Sequence, residues 1–121
     1  MKCILVVDDN SVLRRTLRQI LEQHDEWTVC GEAVDGVDAI EKAKQLHPDL
    51  VVLDLSMPRM DGLQAGKELR RLMPEVSLIL FTVFGNTPQV TKEAHDSGID
   101  TVVSKVDGIA GLVSSVQSAL A

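Results

Sequence analysis

The 121 residues include no tyrosine, two phenylalanines, one tryptophan and two cysteines. Basic side chains are also scarce: Lys and Arg total 12 against 18 Asp and Glu, a formal net charge of −6. Excess surface carboxylate repels nucleic-acid phosphates and anionic lipid, which argues against direct binding to either. No apolar run approaches the roughly 20 residues that cross a bilayer. The apolar stretch near Met1, Cys3 to Val7, runs into Asp8-Asp9 instead of forming a secretory signal. A cytoplasmic location is the expectation. Two cysteines do not make a disulfide framework. Cys3 and Cys30 each lie in an apolar, strand-like run, where a free thiol behaves as a small buried hydrophobe. His24, His47 and His95 share no metal-ligand spacing with one another or with the cysteines. They read as surface or helix-end residues.

What the chain does have is a regular alternation. Its length fits one domain, residues 1–121, with no repeat, low-complexity tract or linker. Short runs rich in β-branched and aliphatic residues predict strands at Cys3–Val7, Trp27–Ala33, Leu50–Leu53, Ser77–Phe81 and Thr101–Ser104. Between them lie stretches with apolar residues at helical spacing. Leu13, Leu17, Ile20 and Leu21 follow a cap at Asn10-Ser11, and Ala39, Ile40 and Ala43 fall in a helix over 36–46. Ala65, Leu69, Leu72 and Met73 precede the stop at Pro74, and Thr87-Pro88 offers a capping hydroxyl before a first-turn proline. Ile109, Leu112, Val113, Val116 and Leu120 mark the last helix. Five strands alternating with five helices imply an α/β, doubly wound, five-stranded parallel sheet in the order 2-1-3-4-5. In such a sheet the binding crevice lies beyond the carboxyl ends of the strands, where the order reverses between strands one and three.

The residues that close each strand are therefore informative. Asp8-Asp9 follow strand one, Asp54 strand three, Thr82 strand four and Lys105 strand five. Each alone has an ordinary reading: Asp as a turn residue or cap, Thr as a strand-end residue, Lys as a solvated charge. Asn10 and Ser11 already supply the cap, however, and five coincidences at one rim favour function. Three carboxylates held together repel one another unless a cation joins them. An all-oxygen set suits magnesium, which keeps several waters and takes substrate phosphate oxygens. Lysine then offers a point charge and threonine a hydroxyl donor to a phosphoryl group, and a carboxylate nucleophile forms an acyl phosphate.

These residues resemble the receiver domain of two-component response regulators, over nearly the whole chain. The matching stretches are Val6-Val7-Asp8-Asp9, Asp54-Leu55-Ser56-Met57-Pro58-Arg59-Met60-Asp61-Gly62, the strand ending at Thr82, and Ser104-Lys105. Cys30-Gly31-Glu32-Ala33-Val34-Asp35-Gly36 and Pro48-Asp49-Leu50 look most like receivers of LuxR/NarL-type transcription regulators. The resemblance implies that Asp54 accepts a phosphoryl group from a sensor histidine kinase or phosphotransfer protein. It implies Mg2+ held directly by Asp9 and Asp54, through water by Asp8, and by the backbone carbonyl of Ser56. Thr82 and Lys105 would hold the phosphoryl oxygens, and Ser56 and Phe84 would tune the lifetime of the aspartyl phosphate. A homodimer formed on phosphorylation, and an output such as transcription regulation carried by another domain, belong to the same expectation.

Two positions depart from the family pattern. Val102 stands where an aromatic switch residue is common, and a β-branched side chain is stiff; coupling is then expected to run through the segment Thr82 to Thr87. Val106 replaces the usual proline after the lysine, so a trans bond is expected there. The rival readings are a degenerate receiver-like interaction module that works without phosphorylation, a phosphatase, and a flavin-binding protein. The intact Asp8, Asp9, Asp54, Thr82 and Lys105 weigh against the first. No second residue is placed as a general acid for turnover, so enzyme activity beyond self-phosphorylation and slow self-dephosphorylation is not expected. A first loop of Asp-Asp-Asn-Ser lacks the glycines that cradle a flavin phosphate.

Overall fold

The computed structural model describes residues 1–121. Strands β1 (Lys2–Val7), β2 (Trp27–Ala33), β3 (Leu50–Leu53), β4 (Ser77–Thr82) and β5 (Thr101–Ser104) pair in parallel in the order β2-β1-β3-β4-β5. Helices α1 (Ser11–Leu21), α2 (Gly36–Leu46), α3 (Gly62–Leu72), α4 (Pro88–Asp96) and α5 (Ile109–Leu120) alternate with them. Every expected element is present, together with a short 3-10 turn at Lys105–Asp107 that the sequence pattern does not announce.

The sheet divides the core into two layers, because successive side chains of a strand point to opposite faces. Leu5, Val7, Val51, Leu53, Leu78 and Leu80 pack with Ala39 and Ala43 of α2, Ala65 and Leu69 of α3, and Ala94 of α4. Ile4, Val6, Val52, Ile79, Phe81 and Val103 pack with Leu17 and Leu21 of α1 and Leu112 and Val116 of α5. This double burial explains why the central strands are apolar without alternation. Val102 also rests on the α4 side of the core. None of the helices is long and apolar enough to cross a membrane.

Local signals set the helix ends. The Asn10 side chain accepts from Leu13 N at 3.1 Å. Asp61 and Gln64 form a reciprocal capping box at the start of α3, and α2 ends at His47 in a left-handed conformation with Pro48 behind it. Thr87 differs from expectation: it stands at the N-cap of α4, but its hydroxyl makes no capping bond. The start of α4 is exposed, and Pro88 needs no acceptor because it has no N–H. Every peptide bond is trans, Lys105–Val106 included.

The cysteines require a larger correction. They are not free, buried thiols: Cys3 and Cys30 form a disulfide, and both are half-buried. Cys3 is paired opposite Thr28, and the β1–β2 register shifts between Ile4 and Leu5, leaving Cys30 as the extra residue of a bulge. Parallel pairing thus brings the two Cα atoms to 5.4 Å, within disulfide reach. A bulge in an edge strand is invisible to counting along the chain.

Candidate functional site

The carboxyl ends of β1, β3, β4 and β5 lie along one edge of the sheet, and their loops carry the polar residues picked out above. Asp8, Asp9 and Asp54 each offer a carboxylate oxygen, and these oxygens lie within 4.8 Å of one another. Asp8 and Asp54 are buried, whereas Asp9 is exposed. Lys105 reaches into the group, with Nζ 2.8 Å from Asp8 Oδ2 and 3.3 Å from Asp54 Oδ1. Of the three clustered carboxylates, two face the one ammonium.

Local folding fixes each group. Asp54 N donates to Val7 O at 3.0 Å, tying the end of β3 to β1. A Cβ at Gly62 would lie 2.1 Å from the Asp54 carbonyl oxygen, so only glycine lets α3 begin against the strand end. Gly85 plays a similar part: its Cβ would lie 2.5 Å from Ser104 Cα, where the loop after β4 crosses the end of β5. The Asp8 carboxylate is held on both sides, by Asn10 N on Oδ1 at 2.9 Å and by Lys105 on Oδ2. Asp54 Oδ1 accepts from Leu55 N at 2.9 Å as well as facing Lys105, while Asp54 Oδ2 has no protein donor.

The electrostatics follow. Burial is the main influence on the Asp54 carboxyl and the Asp8 charge adds to it; together they outweigh Lys105 and raise its pKa above the ordinary carboxylate value. Burial is also the largest influence on Lys105, pulling its pKa down, but the hydrogen bond from Lys105 to Asp8 and the Asp54 and Asp8 charges outweigh it and hold the ammonium above its usual range.

Direct contact or close approach joins Asp8, Asp9, Asp54 and Lys105. Thr82 is buried at the end of β4, paired with Ser104, and its Oγ1 accepts from Phe84 N at 3.3 Å. Ser56 is exposed on the loop after Asp54, and Phe84 is 48% exposed on the loop after β4. Arginines that sequence patterns passed over also reach this edge. Arg14 Nη1 donates to the Asp8 carbonyl at 2.6 Å while its Nε pairs with Glu32, and Arg59 pairs with Asp35. The signal for either is only a charge of the right sign in a neighbouring loop, which becomes specific once the strand order is known.

A doubly wound sheet with an acidic cluster and a lysine at its switch point defines an α/β domain whose polar residues gather where such folds bind their ligands. The response regulator receiver domain family matches residues 4–117, and the chain belongs to it. A protein-glutamate methylesterase/protein-glutamine glutaminase of Hydrogenovibrio crunogenus is 42% identical over 84% of the chain, which spans 27% of that protein. The response regulator protein VraR of Staphylococcus epidermidis is 33% identical over 94% of the chain, spanning 54% of the relative. The chain thus covers about a quarter to a half of these curated relatives. Among solved structures, a LuxR-family two-component response regulator from Aurantimonas superposes with a TM-score of 0.91 at 27% identity, over 96% of this chain and 82% of that one. The LuxR-type likeness expected from the motifs is therefore present among the relatives, beside receivers of the methylesterase type.

Proposed function

We propose that Asp54 is the phosphoacceptor of this receiver domain, taken as residues 1–121. One observation carries the assignment: Asp54 Oδ1 is fixed by Leu55 N and faces Lys105, while Oδ2 is left without a protein donor. Both oxygens of Asp8, by contrast, are engaged. Asp54 Oδ2 attacks the phosphorus of a phosphohistidine on a sensor kinase or phosphotransfer protein. A P–O bond forms as the P–N bond breaks, and the imidazole nitrogen keeps the electron pair. Lys105 turns from the carboxylates to a phosphoryl oxygen, and the Thr82 hydroxyl donates to another. Most of the catalysis is positioning and charge neutralisation.

The donor set fits a hard divalent cation, being all oxygen and in surplus negative charge. Asp9, Asp54 and the Ser56 carbonyl would hold Mg2+ directly and Asp8 through water, and the ion would neutralise charge on the phosphoryl oxygens. Ser56 and Phe84 flank the path of hydrolytic water and set the lifetime of the acyl phosphate. The domain is a cytoplasmic switch with no turnover activity of its own beyond self-phosphorylation and slow self-dephosphorylation. Its output, transcription regulation in the LuxR-type reading, is carried by a partner or another domain, with homodimerisation on phosphorylation. A phosphorylation-independent module is disfavoured because the acids, the threonine and the lysine are all intact.

The test is labelling by acetyl phosphate with Mg2+. The intact chain is expected to gain one phosphoryl group by mass, and Asp54→Asn none. Full labelling of Asp54→Asn would move the acceptor elsewhere.

A further inference from the structure

The loop that leads from Asp54 to α3 contains Ser56, and it is pinned from outside the acidic pocket. At its base Gly62 N donates to Leu55 O at 2.8 Å. At its far side Arg59 adopts a left-handed backbone with φ 65°, a conformation that side chains of this kind rarely take up. Its guanidinium meets Asp35 with two bonds, Nε to Oδ2 at 2.7 Å and Nη2 to Oδ1 at 3.1 Å. Asp35 is 4% exposed and also caps α2 by accepting from Asp38 N at 2.9 Å. The anchor is thus a buried carboxylate on a rigid helix start. Beside it Gly36 N donates to Met60 O at 3.0 Å, an approach so close that a Cβ on Gly36 would lie 2.5 Å from that oxygen. Asp35 stands just beyond the edge strand β2 and is not among the clustered acids.

We infer that Asp35 and Arg59 are positioning residues for the divalent-cation site: their ion pair holds the Leu55–Met60 loop so that the Ser56 carbonyl is presented to the acidic pocket. This rests on the reading of the pocket given above. The strained turn at Arg59 persists because a bidentate, charge-assisted pair offsets it. Between the pinned ends, Ser56 and Pro58 are exposed, so without the pair the loop keeps only its backbone bonds and the carbonyl is less well ordered before metal binds, and affinity falls by the ordering that remains to be done.

Isothermal calorimetry with Mg2+ on the intact chain, Arg59→Ala, Asp35→Asn and the double variant tests this, with Asp9→Ala as control. Asn keeps a capping oxygen for α2. Each single variant is expected to raise the Kd about tenfold, the double no further, and Arg59→Lys to recover part of the loss. Labelling by acetyl phosphate should return at saturating Mg2+, and in metal-free protein the Gly36 amide should exchange faster in Arg59→Ala. A Kd within about twofold of the intact chain in Arg59→Ala, with binding lost in Asp9→Ala, overturns the inference and leaves the site standing. Unchanged binding in Asp9→Ala overturns the site itself. Arg59→Gly, which relieves the left-handed strain while removing the pair, carries the same expectations should Arg59→Ala not fold.

Discussion

Lys105 Nζ sits 2.8 Å from Asp8 Oδ2, across 97 residues of sequence, and it is nearer to Asp8 than to Asp54, at 3.3 Å. The lysine that would meet the phosphoryl group is thus paired in advance, and its partner is the acid whose oxygens are both occupied.

That pairing predicts opposite stability effects from two substitutions. Lys105→Ala leaves buried Asp8 and Asp54 facing each other uncompensated, and should destabilise the metal-free protein by about 3 kcal/mol. Asp54→Asn removes a charge disfavoured by burial and by Asp8, and should stabilise it. Urea unfolding without metal checks both. Millimolar Mg2+ should recover much of the Lys105→Ala loss, because a bound cation stabilises by mass action. Equal effects of one sign would deny that the cluster is under electrostatic strain.

Glu32 gives a pH prediction. Burial is the largest influence on its carboxyl and pulls its pKa up, but Arg18 and Arg14 outweigh it and hold the value below the ordinary 4.5. Above about pH 4.5 the unfolded and folded carboxyls are both ionised and the stabilisation is complete. As pH falls through that value the unfolded chain takes up the proton first, so the stabilisation is lost progressively below it. Glu32→Gln should therefore flatten the acid limb of stability against pH while lowering stability at neutrality. A chemical-denaturation series from pH 3 to 7 measures it, and an acid limb unchanged by the substitution would remove Glu32 from the account.

The frame of the molecule was legible from period and punctuation. The uninterrupted Cys3–Val7 run, the Asn10 cap and Pro74 each act locally, and each element appears where those signals put it. The convergence of Asp8, Asp9, Asp54 and Lys105 was legible one step later, because strand order alone brings strand ends together. What was not legible depends on register and side-chain reach. The bulge at Cys30 decides which residue meets Cys3. The reach of Arg59 to Asp35 needs a positive φ that nothing in Pro58-Arg59-Met60 advertises. Thr87 stands at the start of α4 without a side-chain cap bond, although Asn10 and Asp61 cap helix starts that are also exposed; nothing in the structure explains the difference.

The Cys3–Cys30 crosslink predicts redox-dependent stability. It joins β1 to β2, whose only strand neighbour is β1, across a separation of 27 residues. Closing a loop of that length removes unfolded-chain entropy worth about 3–4 kcal/mol. The oxidised protein should therefore be more stable than the reduced one by up to that amount in urea, and Cys30→Ser should match the reduced protein and ignore reductant. Iodoacetamide should add nothing to the oxidised chain and two adducts after reduction in denaturant, read by mass. The edge it ties also carries Glu32, the last-but-one residue of β2, and leads directly to Asp35. Reduction should therefore raise amide exchange along β2 more than along β3, which is paired on both sides. Alkylation of both thiols in the folded, unreduced protein would show that the pair stays open, and the stability difference should then vanish with it.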